Sequence, residues 1–382
     1  HSFYNVARYF DRTYGFATAG GTDAAYFFDG AAADVYNASP TFALMTYGTG
    51  SVVNRADGFD STYGYANNGG SDSAYLTDSA ANDTFVGRTE YSAMYDGPRT
   101  FYNQVRSFER NYGYATGGGS DEAYLFDSAA ADTFLATPTY AYVQDNAAAM
   151  RNQVNNFEVV RSYAYYGGAD VALLYDSAAD DLYTGQPDFG YLRGPNSEYY
   201  NLARLYEQVY VYANAGGNDT ALLYDSAADD TFNGTVTYGE LYSNNHSYYH
   251  RANTFERVYA YSTAGGNDVA YLTDGVTNDL FVGRSDYSVL RGSNFEFFNQ
   301  ATGFDSVYAY SSGGGNDQAD LYDSSGDDTF FGRTNQGTLY GLNFFNRVLD
   351  FETVNAHGIN GGTNTLDIQS LDYTFAQIGN WT

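Results

Sequence analysis

Gly216-Gly217-Asn218-Asp219-Thr220-Ala221-Leu222-Leu223-Tyr224-Asp225-Ser226-Ala227-Ala228-Asp229-Asp230-Thr231-Phe232 decides the fold, because the 382-residue chain writes this stretch seven times. The second glycine of the pair falls at Gly21, Gly70, Gly119, Gly168, Gly217, Gly266 and Gly315, a constant step of 49 residues with no insertion or deletion. A step that rigid belongs to stacked or radial repeats, in which each unit must match its neighbour in register. Seven repeats run from about residue 1 to 343, and 344–382 holds a degenerate eighth. Its Phe351-Glu352 arrives two residues early, and the second and third aspartates are missing. The unbroken period leaves no linker, so the sequence reads as one repeat domain over 1–382.

Three aspartate columns fix the phase. The first is Asp23, Asp72, Asp121, Asp170, Asp219, Asp268 and Asp317. The second is Asp29, Asp78, Asp127, Asp176, Asp225, Asp274 and Asp323, and the third is Asp34, Asp83, Asp132, Asp181, Asp230, Asp279 and Asp328. Upstream of the first column each repeat carries one more acid: Asp11, Asp60, Glu109, Glu158, Glu207, Glu256 and Asp305. Together they account for 28 of the 46 acidic residues, so the acidity belongs to the repeat and not to a disordered tail.

A net charge of −29 opposes nucleic acid and anionic membranes as partners and favours cations. All 17 basic residues are arginine. With no cysteine there is neither a disulfide framework nor a thiolate metal site. No apolar run approaches the roughly 20 residues of a membrane span. The start at His1, without methionine or an apolar leader, is what a removed signal peptide leaves, so the expected location is extracellular or at the cell surface.

Within one repeat, Phe255–Ser262 alternates aromatic and β-branched residues and ends at Gly265-Gly266, which reads as strand then turn. Val269–Thr273 is a second strand whose alanine and leucine parity points one face inward, and Asp279–Gly283 is a third. The more variable half, Tyr287–Leu290 and Phe295–Gln300, also reads as strand. No apolar pattern of helical period is sustained. The fold expected is all-β, a parallel β-solenoid with about two coils per repeat. A seven- or eight-bladed β-propeller is the alternative, disfavoured because its loops normally vary in length.

GGNDTALLYDSAADDTF, with the upstream YAYSTAGGND, resembles the repeats of very large extracellular proteins of planctomycete-type bacteria over essentially the whole chain. More distantly, Gly216-Gly217-Asn218-Asp219-Thr220-Ala221-Leu222 is similar to the RTX-type β-roll nonapeptide, whose glycine turn and aspartate bind calcium between coils. The third glycine of that motif is absent and the nonapeptides are not in tandem, so its coordination does not transfer.

Stacked coils would set each aspartate column into a like-charge array that needs screening or bridging. Calcium suits that task, since it accepts six to eight oxygens in loose geometry. The other reading is that these aspartates cap glycine turns through backbone N–H groups. His1, His246, His250 and His357 do not recur, and His246 and His250 fall in one variable loop. The 42 tyrosines and 27 phenylalanines fall largely in columns such as Phe16, Tyr65, Tyr114, Tyr163, Tyr212, Tyr261 and Tyr310, as stacked ladders would require. Acids that repeat identically do not make an active site, and no nucleophile, phosphate-loop or zinc motif occurs, so no enzyme is expected. Arg161, which interrupts a tyrosine column, is the one irregularity.

Ser79, Ser128, Ser177, Ser226 and Ser324 follow the second aspartate on an expected turn and resemble bacterial O-glycosylation acceptors. Asn37, Asn82, Asn218, Asn233, Asn245 and Asn380 fit the N-linked sequon. The function expected is a structural subunit of an extracellular filament, sheath or matrix, a head-to-tail homopolymer stabilised by calcium. The alternative is a surface adhesin or glycan-binding stalk.

Overall fold

The structure, a computed structural model, describes residues 7–147 and 149–382. Two compact units emerge, one of His1–Leu173 with Asn196–Tyr206 and one of Leu174–Pro195 with Glu207–Thr382. Both are built from the same coil.

In the first unit the second repeat supplies five strands: Ser61–Tyr65, Ser73–Thr77, Asp83–Gly87, Tyr91–Asp96 and Tyr102–Arg106. Its first strand pairs in parallel with Ala24–Phe28 of the preceding repeat and with its own fifth strand. The second strand lies in the opposite sheet, in parallel between Val35–Ala38 and Arg110–Tyr114. The third, fourth and fifth strands form an antiparallel meander. A repeat therefore makes three passes, two single strands and one meander, so the next repeat begins in the other sheet.

The second unit repeats this path with Arg257–Tyr261, Val269–Thr273, Asp279–Gly283, Tyr287–Gly292 and Phe298–Thr302. Parallel pairing from repeat to repeat is the signature of a β-solenoid, and it disposes of the propeller alternative, whose blades are separate antiparallel sheets. Among the described residues there is no α-helix, only a short 3-10 turn at Pro195–Ser197.

The expected parity holds. Ala221 and Leu223 of the second strand are fully buried, as are Ala74 and Leu76, Ala123 and Leu125, and Ala270 and Leu272. The third strand adds one large ring per repeat at 0 % exposure: Tyr36, Phe85, Phe134, Tyr183, Phe232, Phe281 and Phe330. Small and large side chains alternate and fill the space between sheets, so truncating Leu223 to alanine costs about 2–5 kcal/mol.

The tyrosine columns lie outside this core as half-exposed ladders. Tyr224 stacks on Tyr261 at 5.0 Å and Tyr75 on Tyr112 at 5.0 Å between ring centroids. Arginines cover the ladders, with Arg251 3.7 Å from the Tyr238 ring centroid and Arg88 3.8 Å from that of Phe126. Arg161 joins them: its guanidinium pairs with Glu122 at 2.8 Å and lies 5.4 Å from the centroid of the Tyr124 ring.

Candidate metal centre

The glycine pair brings the aspartates together. Gly216 and Gly217 have φ of 104° and 121°, and a Cβ on Gly217 would run into the Ala179 carbonyl of the preceding turn. Glycine alone lets successive turns approach this closely.

Each aspartate column then does a defined job. A first-column carboxylate accepts the N–H of the third-column aspartate one coil earlier: Asp83 to Asp121 at 2.7 Å, Asp181 to Asp219 at 2.7 Å, Asp230 to Asp268 at 2.7 Å and Asp279 to Asp317 at 2.6 Å. Asp34 to Asp72 and Asp132 to Asp170 follow the same rule, and in the degenerate repeat Asn364 accepts from Asp328. Its own N–H donates to the upstream acid of the next repeat, as Asp23 does to Asp60, Asp72 to Glu109 and Asp219 to Glu256.

Second-column carboxylates accept N–H groups from the next glycine turn. Asn68 donates to Asp29, Gly117 to Asp78, Tyr166 to Asp127, Ala215 to Asp176, Ala264 to Asp225, Gly313 to Asp274 and Asn360 to Asp323. Third-column carboxylates cap their own turn: the Ser79, Ser128, Ser177, Ser226 and Ser324 hydroxyls donate to Asp83, Asp132, Asp181, Asp230 and Asp328. A sugar on these serines would have to replace that bond.

Turn capping leaves some oxygens over. The buried Oδ1 atoms of Asp83, Asp127, Asp132 and Asp279 accept no hydrogen bond. Two groups also bring three carboxylates to within 4.8 Å of one another, Asp78 with Asp83 and Asp121, and Asp274 with Asp279 and Asp317. These groups join two repeats, because the third member is the first-column aspartate of the following one. Asp219 keeps its hydrogen bond from the Asp181 N–H without forming such a group among the described residues.

Burial raises the carboxyls' affinity for protons. Asp72, Asp121, Asp268 and Asp279 are pushed up to about 6 and Asp219 to about 7, burial being the main cause in each, with neighbouring acids adding to it. Asp83 and Asp132 move up for the same reason. A raised carboxyl contributes stability below about pH 4 that is lost as pH rises through 6–7, so charged at neutral pH this lining strains the fold. A hard cation with oxygen ligands relieves that strain, and carboxylates with spare lone pairs are its donor set.

The histidines do not share a site. His250 lies in the strand Tyr249–Asn253 at 2 % exposure, which corrects the loop expectation, and His246 is in the preceding turn at φ 59°. His250 donates from Nε2 to the Gln186 carbonyl at 2.8 Å, so its neutral Nδ1 accepts the Tyr183 hydroxyl at 2.6 Å. His357 stacks on Tyr322 at 4.2 Å, and His1 lies outside the described residues.

His250 belongs to a column that sequence reading missed. Asn103, Asn152, Asn201 and Asn299 donate to the carbonyls of Ser39, Arg88, Thr137 and Thr235, each 64 residues earlier. The signal was available as asparagine at the 49-residue step, with His250 as the exception.

No protein family, curated protein or solved structure matches the chain.

Proposed function

We propose that this protein is a structural subunit of an extracellular assembly, a β-solenoid stiffened by calcium in its buried aspartate turns and stacking head-to-tail with further copies. The observation that carries the reading is the pair of three-carboxylate groups, each with a buried oxygen, Asp83 Oδ1 or Asp279 Oδ1, that no donor satisfies. An unsatisfied buried acceptor costs about 1–3 kcal/mol, more when charged, and a bound calcium removes that cost.

Stacking is supported by the way coils join. Each contact between repeats is a parallel strand pair plus carboxylates accepting backbone N–H groups. The same parallel pairing made between copies would be an interface that repeats without closing, and such an interface gives a fibre.

Electron microscopy of the purified chain with excess calcium, and again with chelator, tests the proposal. Filaments that form with calcium and shorten or dissolve with chelator are expected. Monodisperse particles under both conditions, with unchanged melting, would overturn it and favour the adhesin reading, in which the arginine-covered tyrosine ladders form a glycan-binding face.

A further inference from the structure

The third-column aspartate faces a position in the variable half of the repeat that also recurs at the 49-residue step. It reads Tyr47, Asp96, Asp145, Gly194, Ser243, Gly292 and Gly341. Asp83 lies directly across the antiparallel pair from Asp96, Asp132 from Asp145, and Asp230 from Ser243. The second and third repeats therefore set two aspartates opposite each other, and both members are buried: Asp83 at 1 % and Asp96 at 3 %, Asp132 at 0 % and Asp145 at 8 %.

A second column explains why the fifth repeat needs no such pair. In the fifth repeat the Tyr248 hydroxyl donates to Asp230 Oδ1 at 2.9 Å. The same position is Phe101 in the second repeat, Met150 in the third and Phe297 in the sixth, none of which can donate. Those are the repeats whose third-column Oδ1 is left without a partner, on Asp83, Asp132 and Asp279.

Like charges directly opposite on neighbouring strands repel, with Cβ atoms only about 4.5–5.5 Å apart. Neither pair is neutralised by arginine, since the ion pairs of the described residues lie elsewhere. A proton shared within a pair would place the Oδ1 atom in a short carboxyl–carboxylate hydrogen bond, yet on Asp83 and Asp132 it accepts none. Asp96 Oδ1 accepts Thr100 N–H at 2.7 Å and Phe101 N–H at 3.5 Å, while Oδ2 accepts only Thr100 Oγ1 at 2.6 Å and keeps a further lone pair.

We infer that Asp96 and Asp145, from the variable half of the repeat, are cation ligands that complete two calcium sites, one with Asp78, Asp83 and Asp121 and one with Asp127 and Asp132. The inference rests on the calcium reading of the aspartate turns and extends it to residues outside the three columns. Hard divalent cations are the ligand class, because every donor is an oxygen and the four carboxylates of the first site, or the three of the second, neutralise one ion with charge to spare. Tyrosine in the fifth repeat and a cation in the second and third are then alternative ways to satisfy the same oxygen.

Calorimetric titration of the full chain with calcium alone, together with melting in chelator and in calcium, tests the inference on three variants. Asp96→Asn and Asp145→Asn are each expected to remove one site or weaken it at least tenfold. Each should also raise the melting temperature in chelator while shrinking the calcium-induced rise, a reversal of sign that a purely structural aspartate would not give. Phe101→Tyr leaves every ligand in place but brings a hydroxyl to Asp83, and should abolish the second-repeat site alone. It carries the test if an asparagine variant does not fold. Wild-type stoichiometry and affinity in these variants overturn the inference while leaving calcium at the three-column groups standing. Absence of binding by the wild type overturns both.

Discussion

Asp83 in the second repeat and Asp230 in the fifth occupy the same column and cap the same serine turn, yet their outer oxygens live differently. Asp230 Oδ1 receives the Tyr248 hydroxyl, whereas Asp83 Oδ1 receives nothing and looks across the sheet at a second buried aspartate, Asp96. The constant half of the repeat builds the coil, and the variable half decides how each turn's surplus charge is compensated. A strict repeat can thus hold inequivalent sites.

The largest effect expected from this contrast is on removal of divalent cations. Each site that binds only the folded state adds about 2.7 kcal/mol at a hundredfold excess over Kd, so the three sites, at Asp83, Asp132 and Asp279, lose about 8 kcal/mol in chelator. Differential scanning calorimetry with and without chelator should show a drop of many degrees, and no drop would remove the distinction between the two aspartates.

The next effect isolates the second unit. His250 is held neutral by burial, its pKa lowered to about 4 from 6.5. The unfolded chain takes up that proton first, so stability falls as pH drops from about 6.5 to 4, by about 3 kcal/mol in all. His250→Asn restores the column's asparagine and should flatten that acid slope in urea melts between pH 7 and 4. An unchanged slope would mean that the ring is free to ionise in the fold.

Tyr248→Phe turns the fifth repeat into an imitation of the second. It should cost about 1–3 kcal/mol in chelator, the price of an orphaned buried acceptor, and part of that loss should return with calcium. A loss that calcium does not touch would argue that Ser243 cannot substitute for Asp96.

The smallest effect is a pH trend. In chelator, and with His250→Asn to remove the opposing slope, the raised carboxyls of Asp72, Asp219 and Asp268 should make the protein more stable at pH 5 than at pH 7. Calcium should diminish that difference.

Much of this was legible in the sequence. Alternation of Ala270 and Leu272 gave the inward face, the invariant step gave stacked coils, and acids beside glycines gave the turns. What was not legible follows from topology. The meander reverses the chain within one sheet, so Asp96 meets Asp83 across an antiparallel pair, and Asp121 joins Asp83 and Asp78 from the next coil. Neither proximity follows from spacing alone. His250 misled because a histidine at an asparagine position reads as variable until its carbonyl partner, Gln186, is seen.

The central claim, that buried aspartates without donors hold a cation, is tested most directly by a crystal structure grown with calcium and repeated with terbium for anomalous scattering. The account predicts peaks beside Asp83 Oδ1 and Asp279 Oδ1, with oxygens at about 2.3–2.6 Å. Ordered water, or no density, at both positions would contradict it.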